Sequence, residues 1–455
     1  MGELEELLRD WLPTQRWFAG KGRDIHAVRA VSDVELLGGE PAKREPQLRH
    51  LIVAVDHGED VQHYQVLVGV RDQIPQRLRH ALIGSYGSNA AYDAVHDSEL
   101  TRVLLVNIAA GADVGELSFR AAAGAQLNTS ASSLVVGTEQ SNTSFIYDED
   151  YICKLFRRLE PGPNPDLEMS LALAQAHSAH VATPYGWIDG TLDGATTTLA
   201  MLQTYLRTAS EGWALAVTSV RDLYAEADLH ADEVGGDFAA ESERLGAATA
   251  EVHRDLARTF PTDTLGRQSL AGVAQGMHTR LEETCEAVPQ LTPYADRLAG
   301  AYDALAKLAE PVTVQRVHGD YHLGQVVRTD QGWVLLDFEG EPIKSLPERR
   351  ALASPLRDVA GMLRSFDYAA RHLLTEHPEG SHLEYRAREW ADRNRRAFCR
   401  GYAGAGGLDP ERHATLVRAF ECDKAVYEVM YETRNRPSWL KIPLASIARI
   451  ADDLS

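Results

Sequence analysis

The sequence predicts an α+β chain of two lobes, the first rich in strands and the second mostly helical, with an extra β-rich cap in front. Three observations carry this. Strand-like runs crowd the first half, helical periodicity dominates from about Ala209 onward, and an island of short strands between Val312 and Asp337 interrupts the helices. A chain of 455 residues is expected to fold as two or three packed units of roughly 150 residues each. Its hydrophobic fraction of 44% supplies cores of ordinary size.

The elements follow in order. After a short N-terminal helix, Ile25 to Leu37, Leu48 to Asp56 and Val61 to Val70 read as strands. In the last, Val61, His63, Gln65, Leu67 and Gly69 alternate with Gln62, Tyr64, Val66, Val68 and Val70, the pattern of a strand with two unlike faces. Residues 1–88 are thus expected to form the cap. Trp11, Trp17 and Phe18 read as a hydrophobic plug that anchors it. A helix from about Asn89 to Ala109 leads into an intermediate region, residues 89–206, that completes the small lobe. There Leu134 to Gly137, Ser144 to Tyr147 and Tyr151 to Phe156 read as successive strands, joined by a polar loop and an Asp-Glu-Asp turn. A helix opens near Asn164 with Pro165 in its first turn, where the missing N–H costs nothing. A strand near Thr198 to Gln203 follows, and residues 207–455 form the helical large lobe.

Composition excludes several function classes. The chain has 46 basic and 66 acidic residues, a net charge of −20. That argues against nucleic acid, which requires a clustered basic surface, and against an anionic membrane surface. Cys153, Cys285, Cys399 and Cys422 are scattered, with no CxxC pair, so neither a zinc site nor a disulfide framework is expected. No secretory signal and no apolar run of ~18 residues is visible, so a cytoplasmic protein is expected.

The strongest chemical signal is Val317-His318-Gly319-Asp320-Tyr321-His322-Leu323-Gly324-Gln325, followed by Trp333-Val334-Leu335-Leu336-Asp337-Phe338-Glu339-Gly340-Glu341-Pro342. Phosphoryl transfer from ATP requires one carboxylate to take the proton of the attacking hydroxyl. It also requires a second carboxylate and an amide oxygen to hold Mg2+ against the phosphates. Asp320 suits the first role, and Asp337 with Gln325 the second. Their spacing follows the kinase pattern H-R-D-x-x-x-x-N then D-F-G, here H-G-D-x-x-x-x-Q then D-F-E-G. Together with the order of elements, this is the outline of a bilobal eukaryotic-protein-kinase-like fold. Asp and Gly also serve as turn residues, and either aspartate alone would read that way. The small lobe offers matching parts. Lys154 lies in an apolar strand run, where its charge demands a partner. Glu168 on the following helix is the natural carboxylate, with Asp166 and Glu160 nearby. The loop with Gln140, Ser141, Asn142, Thr143 and Ser144 would present donors to phosphate. Gln203 and Tyr205 stand where a hinge would offer backbone groups to adenine.

These segments resemble the actinobacterial maltokinases, which are similar to aminoglycoside-phosphotransferase-like proteins. The resemblance spans essentially the whole chain. It rests on Trp11-Leu12-Pro13-Thr14-Gln15-Arg16-Trp17-Phe18-Ala19-Gly20-Lys21, on Gln140 to Ser144, and on Lys154-Leu155-Phe156-Arg157-Arg158. It rests further on Gln315 to Gln325, on Asp337 to Pro342, on Ser354 to Phe366 and on Tyr431 to Leu444. The resemblance implies the cap, the intermediate subdomain and the helical lobe. It implies ATP plus maltose giving ADP plus maltose 1-phosphate, with Mg2+. It also implies a pathway from trehalose to α-glucan and a functional link to trehalose synthase. Gln at position 325 and the extended Asp-Phe-Glu-Gly-Glu-Pro form are features of that family. Carried over, Asp320 is the base on the anomeric hydroxyl, Gln325 and Asp337 the metal ligands, and Lys154, oriented by Glu168, the phosphate ligand. His322 and Arg357 are candidates near phosphate or sugar, although loop packing and a structural Arg357–Asp358 neighbourhood explain them at least as well. Asp423, Tyr427, Glu428 and Trp439 are the candidates for sugar hydroxyls and a stacking platform.

Other readings stay open: a kinase of glucosamine or another small sugar, an aminoglycoside-resistance enzyme, and a catalytically dead pseudokinase acting as a binding module. The joint presence of Lys154, Asp320, Gln325 and Asp337 speaks against the last, and the Trp-rich N-terminus against the resistance enzyme.

Overall fold

The three cap strands expected from the sequence form, as Ala27–Leu37, Gln47–Asp56 and Val61–Arg71. They pair antiparallel in that order in the computed structural model, which describes residues 2–43, 45–137, 141–226, 229–234, 236–376 and 383–453. The chain divides into two units. One runs to Ser170 and takes up Ala182–Arg207, and the other consists of Leu171–Val181 and Thr208 onward.

In the first unit the cap sheet continues through Asn89–Asp93 to Leu82–Tyr86. The boundary expected at residue 88 therefore falls inside a hairpin. The helix expected from Asn89 begins instead at Ser98, with the Asp97 side chain accepting from the Glu99 N–H at its N-cap. The alternation read in Val61–Arg71 does not divide a wet face from a dry one, because most of that strand is buried on both sides. Tyr64, Val66, Val68 and Val70 join Leu8, Trp11, Trp17 and Phe18 in one core. Trp11 and Trp17 meet edge to face at 5.8 Å, and Phe18 lies 5.0 Å from Tyr64. The aromatic N-terminal segment is thus the plug of the cap. On the other face Gln65, fully buried, donates to the carbonyls of Phe156 and Leu199 at 2.6 and 2.5 Å.

The second sheet of this unit has seven strands in the order Asp113–Val114, Leu117–Ala121, Pro184–Leu192, Ala195–Thr204, Tyr151–Leu155, Thr143–Tyr147 and Ser133–Val136. All three expected strands of the intermediate region are present. The helix after them is Pro165–Gln175.

The second unit is mostly helical. The long helices Ala239–Thr259, Leu356–His372, Leu383–Gly404 and Ala414–Asn435 build its core. The expected island of strands forms as two small sheets, Asp263–Leu265 with Val312–Val314, and Ser210–Glu211 with Val326–Arg328 and Trp333–Leu335. Among the described residues no helix is long and apolar enough to cross a membrane.

Candidate active site

Asp358 builds the loop around His318-Gly319-Asp320. It stands in the first turn of the Leu356–His372 helix, 2% exposed. Its carboxylate accepts the backbone N–H groups of His318 and Gly319 at 2.7 and 2.9 Å, and it meets His253 Nε2 at 2.9 Å. Burial opposes its charge, but the His253 contact and the Gly319 N–H help to outweigh that and hold its pKa below the usual carboxylate value. Gly319 has φ +86° and lies against Gly340, so the sharp turn into Asp320 needs a residue without a β-carbon. His318 Nε2 donates to the Leu336 carbonyl at 2.9 Å and so ties this loop to the strand end that carries Asp337.

Asp320 is held on one side only. Lys424 Nζ donates to its Oδ1 at 3.1 Å, and among the described residues Oδ2 has no protein partner. The same ammonium donates to Glu341 Oε1 at 3.1 Å. Lys344 and Arg357 also pair with Glu341. Burial resists the charge of Glu341, yet Lys424, Lys344 and Arg357 together bring its pKa down to about 2. The two expected metal ligands meet: Gln325 Nε2 donates to Asp337 Oδ2 at 2.8 Å. That contact sets the amide oxygen and the carboxylate side by side. Asp337 sits at φ +63°, a conformation that costs a non-glycine residue ~1–3 kcal/mol and turns its side chain off the strand. A ligand oxygen of Glu339 lies within 4.8 Å of one from Asp337. Clustered carboxylate and amide oxygens are the donor set a hard divalent cation takes, so the residues fit magnesium.

Beside Asp320 opens a cavity of about 420 Å³. His322, Tyr427, Glu428 and Trp439 line it, so four of the five expected sugar residues gather there. The fifth, Asp423, does not. It pairs with Arg280 and lines a neighbouring cavity of about 320 Å³, which also contains Arg357 and shares Lys424 and Tyr427 as wall. One residue along a helix is a turn of about 100°, enough to send Asp423 to the other side. Glu428 is already committed, accepting from Arg364 at 2.6 and 3.1 Å. Glu432, also in the wall, accepts from Arg436 at 2.7 and 2.9 Å. Burial raises the pKa of both glutamates despite these arginines. His322 accepts from the Gly324 N–H at 3.0 Å, and burial lowers its pKa, which favours a neutral ring. Trp213, Tyr368 and Tyr431 complete an aromatic lining that the sequence reading missed. Lys424 and Asp358 were missed as well. The only sequence signal for Asp358 is its place inside the quoted Ser354 to Phe366 segment.

In the first unit Lys154 Nζ lies 3.0 Å from Asp166 Oδ2, so its carboxylate environment includes a residue the sequence reading set behind Glu168. Thr143 accepts from Arg157 Nε at 2.8 Å, and Asn142, Thr143 and Ser144 are buried. Ser141 is exposed, and Gln140 lies outside the described residues. At the expected hinge Gln203 pairs with Ile152 in the sheet. The Tyr205 N–H donates to the Asp150 carbonyl at 3.0 Å, so that donor is occupied.

Comparison with known proteins matches two families. Residues 11–97 match the maltokinase N-terminal cap domain, and residues 134–408 match the phosphotransferase enzyme family. A glucosamine kinase of Streptacidiphilus jiangxiensis is 30% identical over 324 residues, 68% of this chain and 71% of that one. A glucosamine kinase of Mycolicibacterium smegmatis is 27% identical over 333 residues, 70% and 79% of the two chains. Among solved structures, a glucosamine kinase in complex with glucosamine, ADP and inorganic phosphate superposes with a TM-score of 0.69. It is 22% identical and covers 99% of each chain, which establishes the fold.

Proposed function

The chain belongs to the phosphotransferase enzyme family, and from that premise we propose that it transfers the γ-phosphoryl group of ATP to the anomeric hydroxyl of maltose. It is an ATP-dependent sugar kinase; the acceptor is our reading. One observation carries the choice. Among the described residues, each carboxylate lining the cavity beside Asp320 is already paired with a cation: Asp320 with Lys424, Glu428 with Arg364 and Glu432 with Arg436. Five aromatic side chains complete the wall. Such a lining suits a neutral sugar, whose C–H faces stack on rings and whose hydroxyls bond to groups that keep their charges balanced. The maltokinase-type cap at residues 11–97 supports the same reading.

In this proposal Asp320 Oδ2 accepts the proton of the anomeric hydroxyl as its oxygen attacks the γ-phosphorus. The bond from phosphorus to the bridging oxygen breaks, and ADP leaves. Gln325 and Asp337 would hold magnesium, which neutralises charge on the phosphates when bound. Lys154 is the phosphate ligand of the first unit. The links to trehalose synthase and α-glucan rest on maltose being the acceptor.

A second reading, phosphorylation of glucosamine, is favoured by the names of the two relatives. A coupled ADP-release assay with ATP and magnesium across maltose, glucosamine, glucose, trehalose and kanamycin separates them. Turnover on maltose, with the phosphate on the anomeric oxygen by phosphorus NMR, is expected. Turnover on glucosamine alone would reverse the acceptor and keep the catalytic roles.

A further inference from the structure

A cavity-wall side chain that bridges two carboxylates is one no motif announced. Lys424 extends from the Ala414–Asn435 helix to donate to Asp320 and Glu341, each at 3.1 Å, and lies 4.8 Å from the centre of the Tyr427 ring. Its side chain is 20% exposed and lines the cavity that Asp320 faces. Burial works against its charge, but Asp320, Glu341 and Glu428 outweigh burial and raise its pKa, so it stays an ammonium. Glu341 in turn is fixed by Lys344 and Arg357. The lysine is therefore anchored at both ends of its reach.

We propose that Lys424 sets the charge of the acceptor: it holds Asp320 by one oxygen and closes the cavity to cationic sugars. The proposal rests on the sugar-kinase reading above and deepens it. An amino sugar brings an ammonium group into a wall where each of the three carboxylates among the described residues already faces a cation. To pair with Asp320 Oδ1 that ammonium must displace Lys424, which then loses one of its two carboxylate partners. If nothing is displaced, two ammonium groups share a partly desolvated pocket, and like charges so placed repel strongly. A neutral sugar meets neither cost, since its hydroxyl takes the open Oδ2. Lys424 is thus a positioning and specificity residue, acting through Asp320 and through its own charge.

Glucose and glucosamine provide the probe, since they share a shape and differ by a hydroxyl or an ammonium at carbon 2. With the full-length enzyme, kcat/KM is measured for maltose, glucose and glucosamine in the native chain, Lys424→Met and Lys424→Arg. Native enzyme should prefer the neutral sugars. Lys424→Met should shrink the neutral-to-amine ratio by ~10-fold or more, while Lys424→Arg keeps the ratio near native even as both rates fall. An equal fall on all sugars in Lys424→Met would overturn the proposal, because a purely structural lysine moves the rates and not the ratio. Should Lys424→Met fail to fold, competition in the native enzyme decides. Glucosamine inhibiting maltose turnover less strongly than glucose supports the proposal, and equal or stronger inhibition overturns it. Native turnover of other neutral sugars without maltose sinks only the maltose reading. Native turnover of glucosamine alone sinks both.

Discussion

Lys154 and Lys424 are both largely buried, and each lies against carboxylate, but the two settings are assembled differently. Lys154 meets Asp166 across 12 residues of sequence, so a strand and the helix after it are enough to make the pair. Lys424 meets Asp320 and Glu341 across 104 and 83 residues, so its setting exists only once the helical unit has folded. The first unit makes its charged site locally. The second makes its own from distant pieces, which ties the chemistry of Asp320 to the packing of that unit.

The sharpest break of this contrast would come from Asp320→Asn. Turnover should fall by ~10²–10⁴-fold, the range for losing a general base, while nucleotide affinity measured by calorimetry stays near native. Loss of nucleotide binding would place Asp320 among the metal ligands instead. Next in size is Asp93→Ala in the first unit. Arg157 is fully buried and bonds to Asp93 at 2.5 Å, so the variant strands a buried cation. Denaturant unfolding should show a loss of ~3–5 kcal/mol; a loss below ~1 kcal/mol, the worth of a surface pair, would mean Arg157 needs no carboxylate.

The second unit has an acid-sensitive counterpart in Glu341, whose pKa is brought from 4.5 to about 2. A carboxylate depressed on folding stabilises fully above its unfolded pKa and loses that stabilisation as pH falls through the folded one. Glu341 should therefore contribute up to ~3 kcal/mol at neutral pH. The stability gap between native protein and Glu341→Gln should close between pH 4.5 and about 2. A gap that does not change with pH would show that Glu341 acts by packing alone. The smallest effect is expected from Lys154→Met, which should raise the KM for ATP by ~10–100-fold, the worth of one charge-assisted bond, and leave the KM for sugar unchanged. A shift in the sugar KM instead would erase the division of labour between the two lysines.

How much of this was legible follows the same contrast. From His318 to Asp337 the chemistry sits in one continuous stretch, so residue types and spacing alone pick out Asp320, Gln325 and Asp337. The pairing of Gln325 with Asp337 then follows from two short strands, Val326–Arg328 and Trp333–Leu335, that bring their ends together. The cavity wall was harder. Trp213, Tyr368 and Tyr431 come from three separate helices, and each reads alone as ordinary core. On the Ala414–Asn435 helix the sequence offers Asp423 and Lys424 side by side, and only the neighbouring elements decide which of them reaches Asp320. The helix expected at Asn89 failed for a related reason: Asn89–Asp93 is a strand because the cap sheet pairs it, a tertiary effect that overrides local pattern.

The wiring of the cap bears on how this protein can be divided. Gln65 and Asp93 lie on cap strands, yet their side chains satisfy Phe156, Leu199 and Arg157, and Arg157 also stacks on Trp17 at 4.5 Å. A chain cut back to begin at residue 134 would leave the buried Arg157 guanidinium without its carboxylate and the Phe156 carbonyl without its side-chain donor in an apolar setting. The stretch that matches the phosphotransferase family therefore draws part of its buried polar bonding from the cap. Minimal versions, fusions and libraries built on this kinase should carry the cap as part of the enzyme, in the way a keystone belongs to its arch.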